Sequence, residues 1–551
     1  GWAMLAALLA SCTEPTAVIE PTDPRAPTAV ATATPPQAPI LRIETSMHTA
    51  RISHISVDGA GRYLVTASDD KTLRVWELST GRLLRVLRPP IGQGNEGKMY
   101  AVAISPDGNT IAGAGWSGLE WDKTHSIYLF DRSSGRMLKR ITGLPQSIPH
   151  LSFSPDGRVL LVTFHGKSGI RLYRAADSAL LAEDRDYQGE TYGASFDGNG
   201  RLVTASYDGF LRLYDRDFRL LAQNQVPEGK RPFTVSMTAN GSKIAVGYEN
   251  SAHVDVFSGD ALQYLYSPAT SDIQEGSMNV VSWSFDGDIL YAGGQYRTQD
   301  KHPIRKWIKQ GQGPWVDLPA SSNTLLRIVP LSTGGIAYGS SDPAFGVFDA
   351  KDTRVVYKGS DVLDYRDSHE RFALSHDGTT VQFSHHNGGQ STARFSIGNR
   401  LLEQHSVSTT ALRPPRTTAP ELNIGNWRNS QAPTLNGRAL SLTQYEVSRC
   451  VAIAPDDQTI LLGTVWHLRQ FDRQGRELWK IPVPANVWSV NIAGNGLVAA
   501  AALADGTIRW YRMADGQELL ALFPHPDAKR WVAWTPSGYY DAAPGAETLL
   551  G

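Results

Sequence analysis

The chain has 551 residues, with 53 Lys and Arg against 54 Asp and Glu, a net charge of −1. This balance gives no bulk field for nucleic acid or an anionic membrane, and the length exceeds one ordinary domain. Abundant glycine (51), two cysteines, recurring strand-forming runs and the absence of long amphipathic helical patterns favour an all-β class and exclude any disulfide framework beyond a single bridge.

Met4 to Ala10 is a short apolar run that leads into Leu9-Ala10-Ser11-Cys12. It is too short to span a bilayer and matches the core of a secretory signal, with small residues before a cleavage point. Leu-Ala-Ser-Cys also resembles the lipobox of bacterial lipoproteins. That resemblance implies that Cys12 becomes a lipidated first residue. Thr13, where an Asp would retain the protein at the inner membrane, implies the outer membrane of a two-membrane envelope. Residues 13–39 are dominated by Pro, Thr and Ala and cannot bury enough apolar surface to fold. At about 3 Å per residue they form an extended tether between anchor and body.

From Ile40 the chain is repetitive. Arg62 to Glu77, RYLVTASDDKTLRVWE, reads as two strands around an Asp69-Asp70-Lys71 turn. The phrase returns at Arg201 to Arg216 and at Leu497 to Arg512. In each copy an Asp (Asp70, Asp208, Asp505) stands six positions before an aromatic (Trp76, Tyr214, Tyr511). A second marker is a turn such as Ser105-Pro-Asp-Gly-Asn or Ser154-Pro-Asp-Gly-Arg. It recurs from Val57 through Phe196, Thr238, Ser284, Leu331, Ser375, Ala454, Ala493 and Thr535. Asp bonds back to the backbone there, and Gly tolerates positive φ.

A period of about 43 residues with these two markers resembles the WD40 repeat, one four-stranded blade of a β-propeller. The resemblance covers roughly Ile40 to Gly551 and implies a buried network of His48, Thr66 or Ser68, Asp70 and Trp76. Most other units lack the His. About eleven turn markers are visible, and Glu421 to Leu442 is expected to supply a degenerate twelfth unit. Twelve blades exceed one ordinary propeller. Two are therefore expected: residues 40–360 with seven blades, and residues 361–551, incomplete or closed by strands that the pattern does not place. Ile40 to Glu44 is expected to complete the last blade of a ring. The chain starts on Gly and stops inside a repeat, so further sequence is expected on both sides. Residues 441–484 and 529–551 also resemble bacterial WD40 proteins associated with caspase-like peptidase modules.

Several motifs have a bland reading that wins. Gly113, Gly115 and Gly118 match GxGxxG, but a loop and strand follow where a dinucleotide site needs a helix. Gly92 to Lys98 approaches a P-loop, with Met99 in place of the magnesium-holding hydroxyl. Cys450 lies in an apolar strand with no nucleophile context. His385 and His386 have no ligand partners at metal spacing. No catalytic, cofactor or metal residue is assigned, and no nucleic acid or small-molecule substrate is expected.

Two long insertions occupy the same hairpin position in different units. Gly115 to His125 carries Trp116, Glu120, Trp121 and Asp122. Gly293 to Lys306 carries Tyr296, Arg297, Lys301, His302 and Arg305. Equivalent loops of a propeller share one face, and Trp, Tyr and Arg are the usual anchors, so these are the expected partner-binding loops. The leading expectation is a non-catalytic platform for a protein partner, anchored to the cell envelope. The alternatives are the recognition part of a larger enzyme such as a caspase-like peptidase, and a propeller oxidoreductase or hydrolase with its site in the channel.

Overall fold

The computed structural model describes residues 41–384, 391–404 and 411–551. Cys12, the Pro-rich segment and the His385-His386 pair lie outside the described residues.

The Ser-Pro-Asp-Gly turns explain the repeat from the bottom up. The Ser105 hydroxyl donates to Asp107 at 2.5 Å and accepts the Thr110 N–H at 2.9 Å, while Asp107 accepts the Asn109 N–H. Gly108 sits at φ +79°, where a side chain would strain the backbone. Ser154, Ser284 and Ser375 repeat the arrangement. Each such turn delivers the chain from one apolar strand into the next at fixed register.

Seven antiparallel four-stranded sheets result, spanning 52–87, 98–144, 150–184, 193–225, 232–266, 280–321 and 325–358. Strands follow sequence order within each sheet, so every connection is a local hairpin or a step to the next unit. The first strand of each sheet is innermost. Ile52–Val57 packs beside Lys98–Ile104 on one side and Leu325–Pro330 on the other, and the intervening first strands follow one another around the same axis. This closes a ring around a central channel. The core is divided among the gaps between neighbouring sheets, each with its own apolar cluster. In one gap Trp76, 1% exposed, meets Phe345 at 4.9 Å between ring centroids. Hydroxyls tie inner strands together: Ser56, Ser195 and Ser236 accept the backbone N–H of Ile104, Met237 and Trp283 in the next unit.

Four of the seven inner strands of the ring, and two in the body that follows, carry a β-bulge. Pairing skips Ser53, Tyr100, Phe233 and Leu326 in the ring, and Arg449 and Trp488 further on. A bulge bends the strand and re-aims the unpaired side chain.

A second body follows. It holds sheets at 373–404 and 448–482, a three-stranded sheet at 424–439, and a six-stranded sheet at 487–542. The six-stranded sheet packs on the sheets of 373–404 and 448–482. Asn491 donates to the carbonyls of Phe372 and Arg413, which pins the 411–416 segment between them. The turn at Thr535 does not open a separate unit. Its strands, Trp531–Trp534 and Tyr540–Ala542, extend the preceding sheet, because two strands alone could not bury Trp531 and Val532. Residues 41–44 do not join the sheets of the first ring. The seventh sheet already has its fourth strand in Arg354–Lys358, and Ile43 instead bridges to Leu550, with Glu44 N–H donating to the Leu549 carbonyl at 2.7 Å.

Candidate functional site

Residues from the first hairpin form a closed polar network. His48 Nε2 lies 2.6 Å from Thr66 Oγ1, its Nδ1 lies 2.7 Å from Asp70, and Trp76 donates to Thr66 at 2.9 Å. Ser68 stands apart from this chain of bonds, donating to the Ala50 carbonyl and accepting the Asp70 N–H. Burial alone would raise the Asp70 carboxyl, but His48 and the Thr72 hydroxyl hold it below the usual carboxylate range.

The later copies solve the same problem differently. In the fourth sheet Tyr187 takes the place of the His and meets Thr204 at 2.8 Å and Tyr214 at 2.9 Å, while Asp208 pairs with Arg212. In the six-stranded sheet Asp505 accepts the Thr507 hydroxyl, and among the described residues the buried Tyr511 hydroxyl has no partner. An arginine two positions before the aromatic recurs as Arg74, Arg171, Arg212, Arg305, Arg469 and Arg509, each paired with an acid. The sequence carried this signal as Arg-x-aromatic, one face of a strand. Apart from the Tyr511 hydroxyl, these groups satisfy one another within the fold.

The two inserted loops fold back onto their own units. In the first, Leu119–Asp122 forms one helical turn. Trp121 is buried, Asp122 pairs with Arg140 at 3.2 Å, and Glu96 accepts the N–H groups of Gly118 and Glu120. Trp116 meets His125 edge-on at 5.5 Å, and Glu120 is exposed. In the second loop Tyr296 is buried. Arg305 is fully buried among Asp272, Asp317 and the Tyr296 hydroxyl, with Trp315 stacked 3.6 Å from its guanidinium. Trp121, Tyr296 and Arg305 are therefore withdrawn from any surface that a partner could touch. Arg297 and Lys301 remain exposed, Arg297 paired with Glu275, and His302 is half-buried.

A more continuous surface lies at the mouth of the ring channel, on the side where the inner strands begin. Tyr100 and His165 meet at 6.1 Å, His165 and Tyr192 at 5.1 Å, Tyr192 and Tyr207 at 4.9 Å, and Tyr192 stacks on Phe233 at 4.8 Å. These partly exposed rings come from four successive units. The bulge aims Tyr100 and Phe233 there, and Tyr192 occupies the corresponding place just before Gly193–Phe196. Charged groups frame the belt. Arg51, with 49% of its side-chain surface open, pairs with Asp69 at 2.9 Å. Arg231 pairs with Glu249 at 2.5 Å and stands 5.6 Å from the Tyr207 ring centroid. Tyr192 donates to Glu190 at 2.8 Å. The Asp69 charge holds the Arg51 guanidinium above its usual range against burial, and burial raises the phenols of Tyr100 and Tyr192. Burial pushes the His165 imidazole down to about 4, so it is neutral at pH 7.

The second body meets the first ring beside this mouth. Ser360 donates to the His48 carbonyl at 2.7 Å, and Arg366 pairs with Asp342 at 3.0 Å. Asp505 lies within electrostatic reach of the buried Lys98, and Tyr445 within reach of Tyr207. Burial, then the charges of Lys98, Arg42 and Arg509, pushes the Lys71 amine down to about 7. Cys450 is fully buried, with its thiol raised by burial, which is the reverse of what a nucleophile needs. Among the described residues no group of three or more His, Cys, Asp and Glu could hold a metal ion, and no helix is long and apolar enough to cross a membrane.

Fold and repeat together define a WD40-type β-propeller class of protein. Residues 41–77 match the WD40 family, "WD domain, G-beta repeat". The chain is similar to the Ribosome biogenesis protein BOP1 homolog of Monosiga brevicollis, 60% identical over 40 residues, which cover 7% of this chain and 5% of that protein. It is similar to the Pre-mRNA-processing factor 19 homolog 2 of Arabidopsis thaliana, 28% identical over 181 residues, 30% of each chain. The Drosophila melanogaster BOP1 homolog is 48% identical over 40 residues, 7% of this chain and 5% of that protein. The chain thus spans between 5% and 30% of these relatives' length. WD40 repeats of this kind serve as protein-interaction scaffolds.

Proposed function

We propose that this chain is a non-catalytic scaffold that seats a protein partner across the aromatic mouth of its first ring. The belt Tyr100–His165–Tyr192–Tyr207–Phe233, framed by Arg51 and Arg231, supports the reading. Tyr and Arg on a rigid rim give large contact area at low ordering cost, with charges to set orientation. The test is capture by crosslinking from an extract of the producing cell, using the full chain and a Tyr192→Ala/Phe233→Ala variant. A partner captured reproducibly by the wild type and lost by the variant supports the reading. Equal capture by both, or none by either, contradicts it.

The envelope location is part of the same proposal: a lipid on Cys12 holds the body off a bacterial outer membrane through residues 13–39. It rests on Leu-Ala-Ser-Cys and the Pro-rich tether. Labelled palmitate incorporated by the wild type and absent from Cys12→Ser supports it, and label retained by Cys12→Ser contradicts it.

A further inference from the structure

Below the mouth, three inner strands bring basic groups together inside the ring. His54 from Ile52–Val57 and His150 from His150–Phe153 share a hydrogen bond, Nε2 to Nδ1 at 3.0 Å, their rings edge-on at 5.1 Å. They are 5% and 1% exposed. The outer nitrogens, Nδ1 of His54 and Nε2 of His150, are buried; the backbone of Val102 lies near His54 and that of Ala194 near His150, but among the described residues neither outer nitrogen has a well-aligned hydrogen-bond partner. Arg327, from Leu325–Pro330, lies close enough to depress both imidazoles electrostatically. It is half-buried, and its guanidinium forms no hydrogen bond or ion pair with any described residue.

Other arginines in this protein pair with acids, as Arg74, Arg212, Arg305 and Arg469 do. Here no carboxylate contributes to the electrostatics of His54, His150 or Arg327. A half-buried guanidinium with no counter-charge is costly to fold around. Its planar fork matches the two oxygens of a phosphate or carboxylate. In the neutral histidine pair the shared bond uses one proton, which leaves one N–H on an outer nitrogen as a further donor. Any protonation of the pair adds positive charge beside Arg327.

We propose that Arg327 and the His54–His150 pair form a binding site for one small oxyanion in the channel of the first ring. The site is separate from the aromatic mouth and does not depend on a partner binding there. Phosphate and carboxylate share the required chemistry.

The test uses the full chain, equilibrium dialysis with radiolabelled orthophosphate, and thermal shift in phosphate or acetate against chloride of matched ionic strength. The expected result is saturable binding of one anion per chain, with a dose-dependent rise in melting temperature. Arg327→Gln is expected to weaken binding at least tenfold, and Arg354→Gln, at an exposed position on the outer strand, to leave it unchanged. A rise in acetate but not in phosphate assigns the site to carboxylates. If Arg327→Gln does not fold, Arg327→Lys and His54→Gln take its place, with weaker binding expected in both. No specific anion effect on the wild type, or equal binding by the Arg327 and His54 variants, overturns the proposal.

Discussion

Trp76 donates its indole N–H to the Thr66 hydroxyl at 2.9 Å, and this bond ties the aromatic ring of the first sheet to the rest of its polar network. The same hydroxyl faces His48, which faces Asp70 in turn. Removing one member leaves the others buried without partners, which costs more than the bond itself. Thr66→Val is therefore expected to destabilise the chain by about 1–3 kcal/mol. Trp76→Ala, which also empties the gap against Phe345, is expected to cost about 3–5 kcal/mol. Denaturant melts followed by tryptophan fluorescence and circular dichroism check both. A Thr66→Val midpoint equal to wild type would show the network to be decorative.

Tyr511 gives the opposite expectation. Its hydroxyl is buried and, among the described residues, unpartnered at the position that Trp76 fills in the first sheet. Tyr511→Phe removes a desolvated polar group without altering the ring, and it is expected to be neutral or stabilising by up to about 1–3 kcal/mol. A clear loss of stability in the same melts would mean that the hydroxyl has a partner in solution.

In the second inserted loop the fully buried and the exposed residues separate cleanly. Arg305→Met leaves Asp272 and Asp317, both partly exposed, without their cation and is expected to cost about 1–3 kcal/mol. Arg297→Ala and Lys301→Ala, at the exposed tip, are expected to change stability by less than about 0.5 kcal/mol. Thermal melts of the three variants compare them directly, and equal melting temperatures would contradict the assignment of Arg305 as the loop's anchor.

The channel and mouth histidines set a pH dependence. Burial lowers His54, His150 and His165 below 6.5, the first two well below it and the last to about 4. Arg327 adds to the effect at His54 and His150, and the charges of His125 and Arg51 at His165. The unfolded chain takes up these protons near pH 6.5 while the folded chain refuses them. Stability is therefore present above that pH and lost as pH falls below it. The melting temperature is expected to drop between pH 7 and pH 5, and His150→Gln to make the drop shallower. A melting temperature that is flat or rises over that interval would contradict these environments.

The turns and the paired strands could be read in the sequence because their chemistry is local. Ser105-Pro-Asp-Gly needs only its own side chains, and the hairpin around Asp69 needs only alternation. The belt at the mouth could not be read, for a specific reason. The bulges at Tyr100 and Phe233 break the period of two, so the faces of these residues invert relative to their strands. Alternation alone assigns them to the wrong side. The inserted loops misdirected attention in a complementary way. Trp121, Tyr296 and Arg305 have the composition of anchors, yet all three are buried. What buries Arg305 is set by Asp272 and Asp317, which lie outside the insertion and which no local pattern links to it.

The most direct measurement of the central claim is photo-crosslinking in the producing cell, with a photoreactive residue placed at position 192 in one full-length variant and at 301 in another. The account predicts a discrete crosslinked partner from position 192, in the aromatic mouth, and none from position 301, at the exposed tip of the inserted loop. A partner crosslinked from 301 and not from 192 would place recognition on the insertions and contradict it.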